Sequence, residues 1–519
     1  MKVSYKQSEL RTLRWILLGA VVLRLVLALV TEGYPYDMSC FVAWGDKMAA
    51  QGPAAFYSEG YFADYPPGYL FVLGIVGLLR AALSIPYESP VTYLLLAVVP
   101  SLCDAAAAWL VWRVAKTAMP DSCGPLLLAA FTAFNPLLLF DTGIWKQIDG
   151  AFSLPILLCF LLLEKRRYLP AAFWYGVALA IKPQALLFGP VLAVCFLVAI
   201  VQEENRFRAF LRCFGGAAVA LVPPLAAGIP FYGVRDLIPS LLEKYSGTVS
   251  GYPYASINAF NWLTALGGNW APLQDAAPFG ISWHTLGWFL ILVVTGGLVL
   301  FAMRSVRAGS FSPLLLAAYY ELGVFTFGHC MHERYMVPGV LLTLLAAARW
   351  NDIRLYAAGF GLSLTGFLNL ATVYSLAGTE DEWLTSATSS SVAVLVGLAE
   401  TVCFVMLFFA VWDIALHGHG LPLPQRSDAP EPIPAEQPRW RRWEWWGLLG
   451  LTAATAVLSF TYLGDTTAPQ NPLDATDTIL TETVTVEGNA VYLWSYPGIS
   501  YGGSLKVTDE QGTVLLVQE

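Results

Sequence analysis

Trp15-Ile-Leu-Leu-Gly-Ala-Val-Val-Leu-Arg-Leu-Val-Leu-Ala-Leu-Val30 is the first of many apolar runs, and the series it opens decides the fold. About 20 apolar residues in helical conformation cross the hydrocarbon core of a bilayer. The run follows a basic N-terminus (Lys2, Lys6, Arg11, Arg14), and no small-residue cleavage motif comes after it. It therefore reads as a retained anchor rather than a removable signal. Similar segments, approximately at 12–31, 66–83, 91–112, 124–141, 150–163, 168–182, 184–201, 210–231, 282–303, 311–328, 335–348, 354–376, 389–415 and 443–463, fill most of the chain. Composition agrees: 57% of the 519 residues are hydrophobic and 13% charged, against roughly a quarter charged in soluble domains. The expectation is an all-α polytopic membrane protein in one large helical bundle, not the string of soluble domains that the length would otherwise suggest.

Lys and Arg in the short loops orient the bundle. The basic N-terminus should be cytoplasmic, with Arg113/Lys116, Lys165–Arg167, Arg206/Arg208/Arg212, Arg304/Arg307, Arg349/Arg354 and Arg439–Arg442. The acidic or aromatic loops 31–65, 142–149, 232–281, 329–334 and 377–388 should face outward. Segment 66–83 disturbs the alternation. If it crossed, the basic turn after 91–112 would land outside, and the turn Ser84-Ile-Pro-Tyr-Glu-Ser-Pro90 carries no basic residue. The segment is therefore expected to enter and leave on the outer side, with Arg80 as the contrary signal, leaving about thirteen transmembrane helices.

Four regions follow. Residues 1–416 are expected to form the main transmembrane region, where any catalytic site would lie. Residues 417–442, with six prolines plus charge, form a cytoplasmic linker without a core of its own. Residues 443–463 are the last span, and 464–519 a small β appendage with an extracytoplasmic C-terminus. Ile479–Val486, Val491–Trp494, Leu505–Val507 and Val514–Val517 are short β-branched runs, and Asp509-Glu-Gln-Gly512 suits a hairpin turn. The net charge of −8 supplies no basic stripe for nucleic acid. The eight cysteines stand apart without a CxxC and read as packing residues.

The chemistry lies in the outer loops. Asp37, in Gly33-Tyr-Pro-Tyr-Asp-Met-Ser-Cys-Phe-Val-Ala-Trp-Gly-Asp46, follows the first span and opens a helical pattern with Phe41 and Trp44. A carboxylate at the membrane surface beside an aromatic face suits a general base, although Asp ahead of a helix is also a common N-cap. In Phe62-Ala-Asp-Tyr-Pro-Pro-Gly-Tyr69 two prolines hold Asp64 and Tyr65 extended, a rigid acidic and aromatic grip for a sugar or an ordinary interfacial helix start. Trp145-Lys-Gln-Ile-Asp149 brings Trp145, Gln147 and Asp149 to the same side. Lys182-Pro-Gln184 adds a lysine that is costly near a membrane unless it snorkels or has a task. His329-Cys-Met-His-Glu-Arg-Tyr335 is the most polar outer turn. It contains no HExxH, so no metal or other cofactor is expected. His332, Glu333 and Arg334 read either as an interfacial ion-pair turn or as a phosphate clamp, for which the guanidinium supplies a bidentate donor fork.

Together these residues put an acidic, sugar-gripping surface and a cationic, phosphate-gripping surface on one side of the membrane, beside lipid. Transfer from a polyprenyl-phosphate monosaccharide needs that combination. The leaving phosphate needs cations, the acceptor hydroxyl a carboxylate, and the lipid tail a groove.

At these residues the sequence resembles the GT-C glycosyltransferases, and is most similar to dolichyl-phosphate-glucose-dependent glucosyltransferases and bacterial mannosyltransferase-like relatives. The matching pieces are Asp37 to Trp44, Phe56-Tyr57 to Asp64-Tyr-Pro-Pro67, Trp145 to Asp149, Lys182-Pro-Gln-Ala-Leu to Pro190 and His332-Glu-Arg334, within residues 12 to 350. The resemblance implies inverting transfer of a hexose from a lipid-phosphate carrier, with Asp37 as catalytic base. It also implies donor-phosphate contacts from His332 and Arg334, with Lys182 and Gln184 nearby. The acceptor would be a glycan, lipid-linked or polymeric. The eukaryotic enzymes tend to carry Lys where this chain has Arg334 and a His-rich turn where it has Trp145-Lys-Gln, which bears on the acceptor side. Compact loops without organelle signals favour a bacterial plasma membrane. The competing expectation is a non-enzymatic transporter or flippase of lipid-linked glycans. That class should show internal repeats and charges at the midplane rather than at the outer helix ends.

Overall fold

The computed structural model describes residues 7–58, 61–250, 252–278, 280–377, 391–422, 446, 505–508 and 514–518. Helix α1 (Gln7–Val30) leads through a short turn to α2 (Pro35–Gln51), α3 (Pro67–Leu83) and α4 (Pro90–Ala118). Next come α5 (Gly124–Ala133), the one-turn α6 (Pro136–Leu139) and a π-helical segment, Phe140–Trp145. Then follow α7 (Asp149–Glu164), α8 (Tyr168–Ile181), α9 (Gly189–Gln202) and α10 (Arg206–Ser250), which kinks at Gly233 (φ +65°). After the two-residue strand β1 (Ser256–Ile257) come α11 (Trp262–Ala265), α12 (Trp283–Ala308) and α13 (Pro313–Phe327). Strand β2 (Met331–His332), α14 (Val337–Trp350), α15 (Ile353–Leu376) and α16 (Ser391–His417) follow. In its described residues, every apolar segment read from the sequence up to residue 415 is essentially helical, with 124–141 and 184–201 running over successive shorter helices.

Local chemistry sets the boundaries. Prolines occupy the first turn of α2, α3, α4 and α13, where a missing N–H costs nothing. Ser89 and Ser312 cap α4 and α13 by accepting from the backbone N–H of Thr92 and Leu315. Among the described residues eight helical stretches are long and apolar enough to cross a membrane, and α3, α8, α13 and α14 are shorter apolar helices. The protein is thus an all-α integral membrane protein. Its main core joins α4, α7, α8 and α12–α16, with Leu344, Leu345, Phe152 and Phe160 fully buried.

Helix α3 packs mainly along α2. The two approach so closely that a Cβ on Gly77 would collide with the Gly45 carbonyl oxygen, the small-residue contact that helices in lipid use to meet. Buried Arg80, near the end of α3, pairs with Asp46 of α2, and the Tyr87 hydroxyl donates to the Ser39 carbonyl (3.0 Å). The far end of α3 therefore stays beside α2.

Two loops far apart in sequence are joined by parallel pairing of β1 with β2, Ser256 opposite Met331 and Ile257 opposite His332. At the C-terminus, β3 (Leu505–Thr508) and β4 (Val514–Gln518) pair antiparallel, in keeping with the expected hairpin. The linker from 423 onward, the span at 443–463 and the runs at 479–494 lie outside the described residues, apart from residue 446.

Candidate active site

Five chain segments converge at one end of the bundle. Asp37 stands in the first turn of α2, where the helix dipole favours a carboxylate. It is not the N-cap: Tyr34 holds that position, without a side-chain cap bond. Asp37 Oδ2 instead accepts a hydrogen bond from Trp145 Nε1 at 2.5 Å. Trp145 ends the π-helical segment, is fully buried and stacks on Tyr34, with ring centroids 4.2 Å apart and planes 22° apart. An unwound helix end, locked by stacking, thus fixes the carboxylate's orientation.

From the same turn, Asp149 opens α7 and is fully buried. Its Oδ1 meets Lys182 Nζ at 2.7 Å. Lys182 is the extended residue (ψ 139°) that stops α8, as expected ahead of Pro183. Arg334 completes the cluster. Its guanidinium lies 2.5 Å from Glu333 Oε1, 3.8 Å from Asp149 Oδ2 and 3.9 Å from Asp37 Oδ1, and 5.8 Å from the Trp145 ring centroid. Burial works against its charge, yet Asp37, Glu333, Tyr65 and Asp149 together hold its pKa well above the ordinary value.

Tyr65 is buried, donates its hydroxyl to Gln147 Oε1 at 3.2 Å and presents its ring to Lys182 Nζ, 5.7 Å from the centroid. Half-buried Asp64 precedes it; burial, and then the Asp37 charge, push the Asp64 carboxyl pKa up against the pull of Arg334. Glu333 is raised in the same way, with burial the larger cause. His332 packs between the Tyr252 and Tyr335 rings, at 4.9 and 5.0 Å. Burial, with Arg334 and Lys182 adding to it, holds its pKa well below the usual imidazole value. At neutral pH His332 is therefore an uncharged donor and acceptor, and the positive charge of the site comes from Arg334 and Lys182. Gln184 Nε2 donates to the Tyr335 carbonyl at 2.9 Å.

All the residues singled out as site candidates from the sequence thus meet in one cluster. Arg334 Nε, Asp149 Oδ2, Gln147 Nε2 and Gln184 Oε1 are buried without a hydrogen-bonding partner in the protein. Each such group costs about 1–3 kcal/mol if left so, and their concentration here is what a polar ligand would relieve.

Sequence reasoning missed the layer beneath. Arg24 and Asp104, both fully buried, pair at 3.0 Å, and Thr142 of the π-helical segment donates to the same Asp104 oxygen at 2.8 Å. Asp141 is fully buried beside them. The signal was present: Arg24 and Asp104 are charges inside apolar runs, and intramembrane charges are rare without a partner or a task.

The sequence model described as Glycosyltransferase family 87 matches residues 61–331. That span contains Asp64, Tyr65, Trp145, Gln147, Asp149, Lys182 and Gln184; Asp37 and His332–Arg334 lie beyond its ends. No curated protein matches the sequence. One solved structure similar to the chain is an oligosaccharyltransferase from Archaeoglobus fulgidus in its apo form. It is 13% identical, with a TM-score of 0.35, over 79% of this chain and 57% of that one. The chain spans little more than half the length of that structure.

Proposed function

Because the chain belongs to glycosyltransferase family 87, we propose that it moves a hexose from a polyprenyl-phosphate monosaccharide to a glycan acceptor, lipid-linked or polymeric, at the extracytoplasmic face. That it is a glycosyltransferase embedded in a membrane follows from the family and from its apolar helices. The donor, the stereochemistry and the sidedness are our reading. In that reading residues 1–416 are the catalytic region, the N-terminus is cytoplasmic, and the membrane is the bacterial plasma membrane. The placement of α3 beside α2 supports a segment 66–83 that stays on the outer side.

One observation carries the mechanism: a carboxylate, Asp37, is fixed by Trp145 at 2.5 Å and lies 3.9 Å from the Arg334 guanidinium. Base and phosphate-holding cation then belong to one polar cluster, and the donor phosphate and the acceptor enter by parting this loose ion pair. The acceptor oxygen attacks C1 of the sugar from the face opposite the phosphate. The C1–O bond to the acceptor forms as the C1–O bond to the phosphate breaks, Asp37 takes the hydroxyl proton, and polyprenyl phosphate leaves with the bonding pair. One displacement inverts the anomeric centre. Arg334 and Lys182 stabilise the charge growing on the phosphate, worth several kcal/mol when such donors are preorganised. Neutral His332 adds a hydrogen bond. Asp64, Tyr65, Trp145, Gln147, Asp149, Gln184 and Glu333 hold the sugar or the groups that touch it.

The test uses purified protein in nanodiscs with a panel of polyprenyl-phosphate monosaccharides, reading release of polyprenyl phosphate by mass spectrometry. Release from one donor, lost in Asp37→Ala, is the expected result and identifies the sugar. If wild type consumes no donor even with membrane lipids as acceptor, or Asp37→Ala turns over normally, the mechanism is wrong.

A further inference from the structure

Lys146 has no part in the reaction above, yet it is fully buried and adopts a left-handed conformation (φ +67°, ψ 35°). That region is unfavourable for a non-glycine residue, so the position favours glycine unless the side chain is needed. Lys146 Nζ donates to Thr31 Oγ1 at 2.7 Å and to the Ile144 carbonyl at 3.0 Å, and sits 5.3 Å from the Tyr93 ring centroid on α4. Among the described residues it forms no ion pair within 4 Å of a carboxylate. Thr31 lies just after α1, with its hydroxyl tied to the Leu27 carbonyl (2.8 Å). Gly33 (φ +85°) closes the turn over the lysine stem, where an added Cβ would lie 3.1 Å from Lys146 Cδ and collide with Met38. Immediately beyond, Tyr34 N–H donates to the Trp145 carbonyl at 3.3 Å, and the two rings stack.

One ammonium group therefore joins the turn that delivers Asp37 to the π-helical turn that delivers Trp145. We infer that Lys146 is a positioning residue for the catalytic base, clamping the α1–α2 turn onto the 140–148 segment so that Trp145 Nε1 stays on Asp37 Oδ2. The inference rests on the reading of Asp37 as base. Burial brings the Lys146 ammonium down to about 7, with the Glu32 carboxylate of the α1–α2 turn opposing that; Tyr93 is the titratable group facing it from α4. Across pH 6 to 8 the clamp passes from an ammonium to a neutral amine, and turnover should fall with it. Arg in its place keeps its charge through that range.

The experiment compares kcat and donor KM of wild type, Lys146→Met and Lys146→Arg from pH 5.5 to 9 in nanodiscs, beside Asp37→Ala. Displacing a catalytic group by about 1 Å costs on the order of 100-fold. Lys146→Met should therefore lose roughly 10–100-fold in kcat with donor KM changed less than about 2-fold. Lys146→Arg should recover most of the rate and lack the decline between pH 6 and 8. Thr31→Val, which keeps the lysine and removes its partner, should show a smaller loss in the same direction and serves if Lys146→Met does not fold. Wild-type kcat and pH profile in the folded Lys146→Met or Thr31→Val protein overturn the proposal, whatever happens to stability. If those variants are normal while Asp37→Ala is dead, the Lys146 proposal alone fails. If Asp37→Ala is active, the base assignment fails and takes the clamp with it.

Discussion

The Lys182–Asp149 pair separates scaffold from chemistry. Its atoms are 2.7 Å apart, with side chains 6% and 0% exposed. Removing one partner of a buried pair typically costs roughly 3–5 kcal/mol, because the other charge is stranded. Lys182→Met strands Asp149, but the Arg334 guanidinium stands 3.8 Å from the other Asp149 oxygen and can close in. The loss should therefore sit near the lower end of that range. Lys182→Met/Asp149→Asn strands nothing, and replacing both members of a buried pair is often close to neutral. Unfolding in detergent, followed by tryptophan fluorescence, should give a midpoint several degrees below wild type for Lys182→Met and near wild type for the double variant. Turnover should not follow. If Lys182 faces the leaving phosphate, both variants stay slow by roughly 100-fold or more, the scale of losing one preorganised donor. A double variant that regained both stability and turnover would falsify the phosphate role and leave the lysine as scaffold alone.

Two further outcomes follow from the same geometry. His332 should affect stability through pH. Its folded pKa is depressed from 6.5, so below pH 6.5 the unfolded chain binds the extra proton. Stability then falls as pH drops from about 6.5 and is unaffected above it. His332→Gln should flatten the fall in the unfolding midpoint between pH 6.5 and 5 while lowering turnover, and an unchanged slope contradicts the neutral imidazole. Gly77→Ala forces a methyl against the Gly45 carbonyl, whereas a Cβ at Gly74 meets no backbone atom and is crowded only by Met48 Cβ at 3.1 Å. Gly77→Ala should lower both thermal stability and turnover well below Gly74→Ala, and equal behaviour of the two would mean that α2 and α3 are free to separate.

The helices were legible because bilayer thickness imposes one length on every apolar run, and that constraint survives any uncertainty about packing. The cluster was legible for a related reason. Charges at outer helix ends have few places to go, so grouping Asp37, Asp149, Lys182 and Arg334 by membrane side nearly grouped them in space. Their pairings were not legible. Asp37 as an N-cap was the ordinary expectation from the residue type, but its partner is an indole N–H 108 positions further on, supplied by an unwound segment. Apolar periodicity marks 124–141 as helix and says nothing of the π-helical turn at Phe140–Trp145, because one extra residue in a turn changes no composition. The charge of His332 was equally hidden. Its neighbours in the sequence do not reveal that burial, with Arg334 and Lys182 beside it, holds its pKa well below the usual imidazole value.

The unwound segment also explains charges that the reaction does not use. Backbone that leaves the α-helical pattern at membrane depth survives only where protein surrounds it, and Phe140–Trp145 is buried at every position. Its side chains still need partners. Thr142 finds Asp104, and Asp104 is held in place by Arg24, whose guanidinium also donates to the Ala133 carbonyl (2.6 Å) at the end of α5. Remove that pair, and the segment that delivers Trp145 to Asp37 loses its anchorage on α1 and α4. Asp104 also presses on the start of α7, so closely that a Cβ on Gly150 would collide with its other oxygen. Thus one buried carboxylate fixes both ends of the turn that carries Trp145, Gln147 and Asp149. Charge inside the bilayer is expensive, and here it holds rigid the irregular stretch of backbone on which the geometry of the site depends.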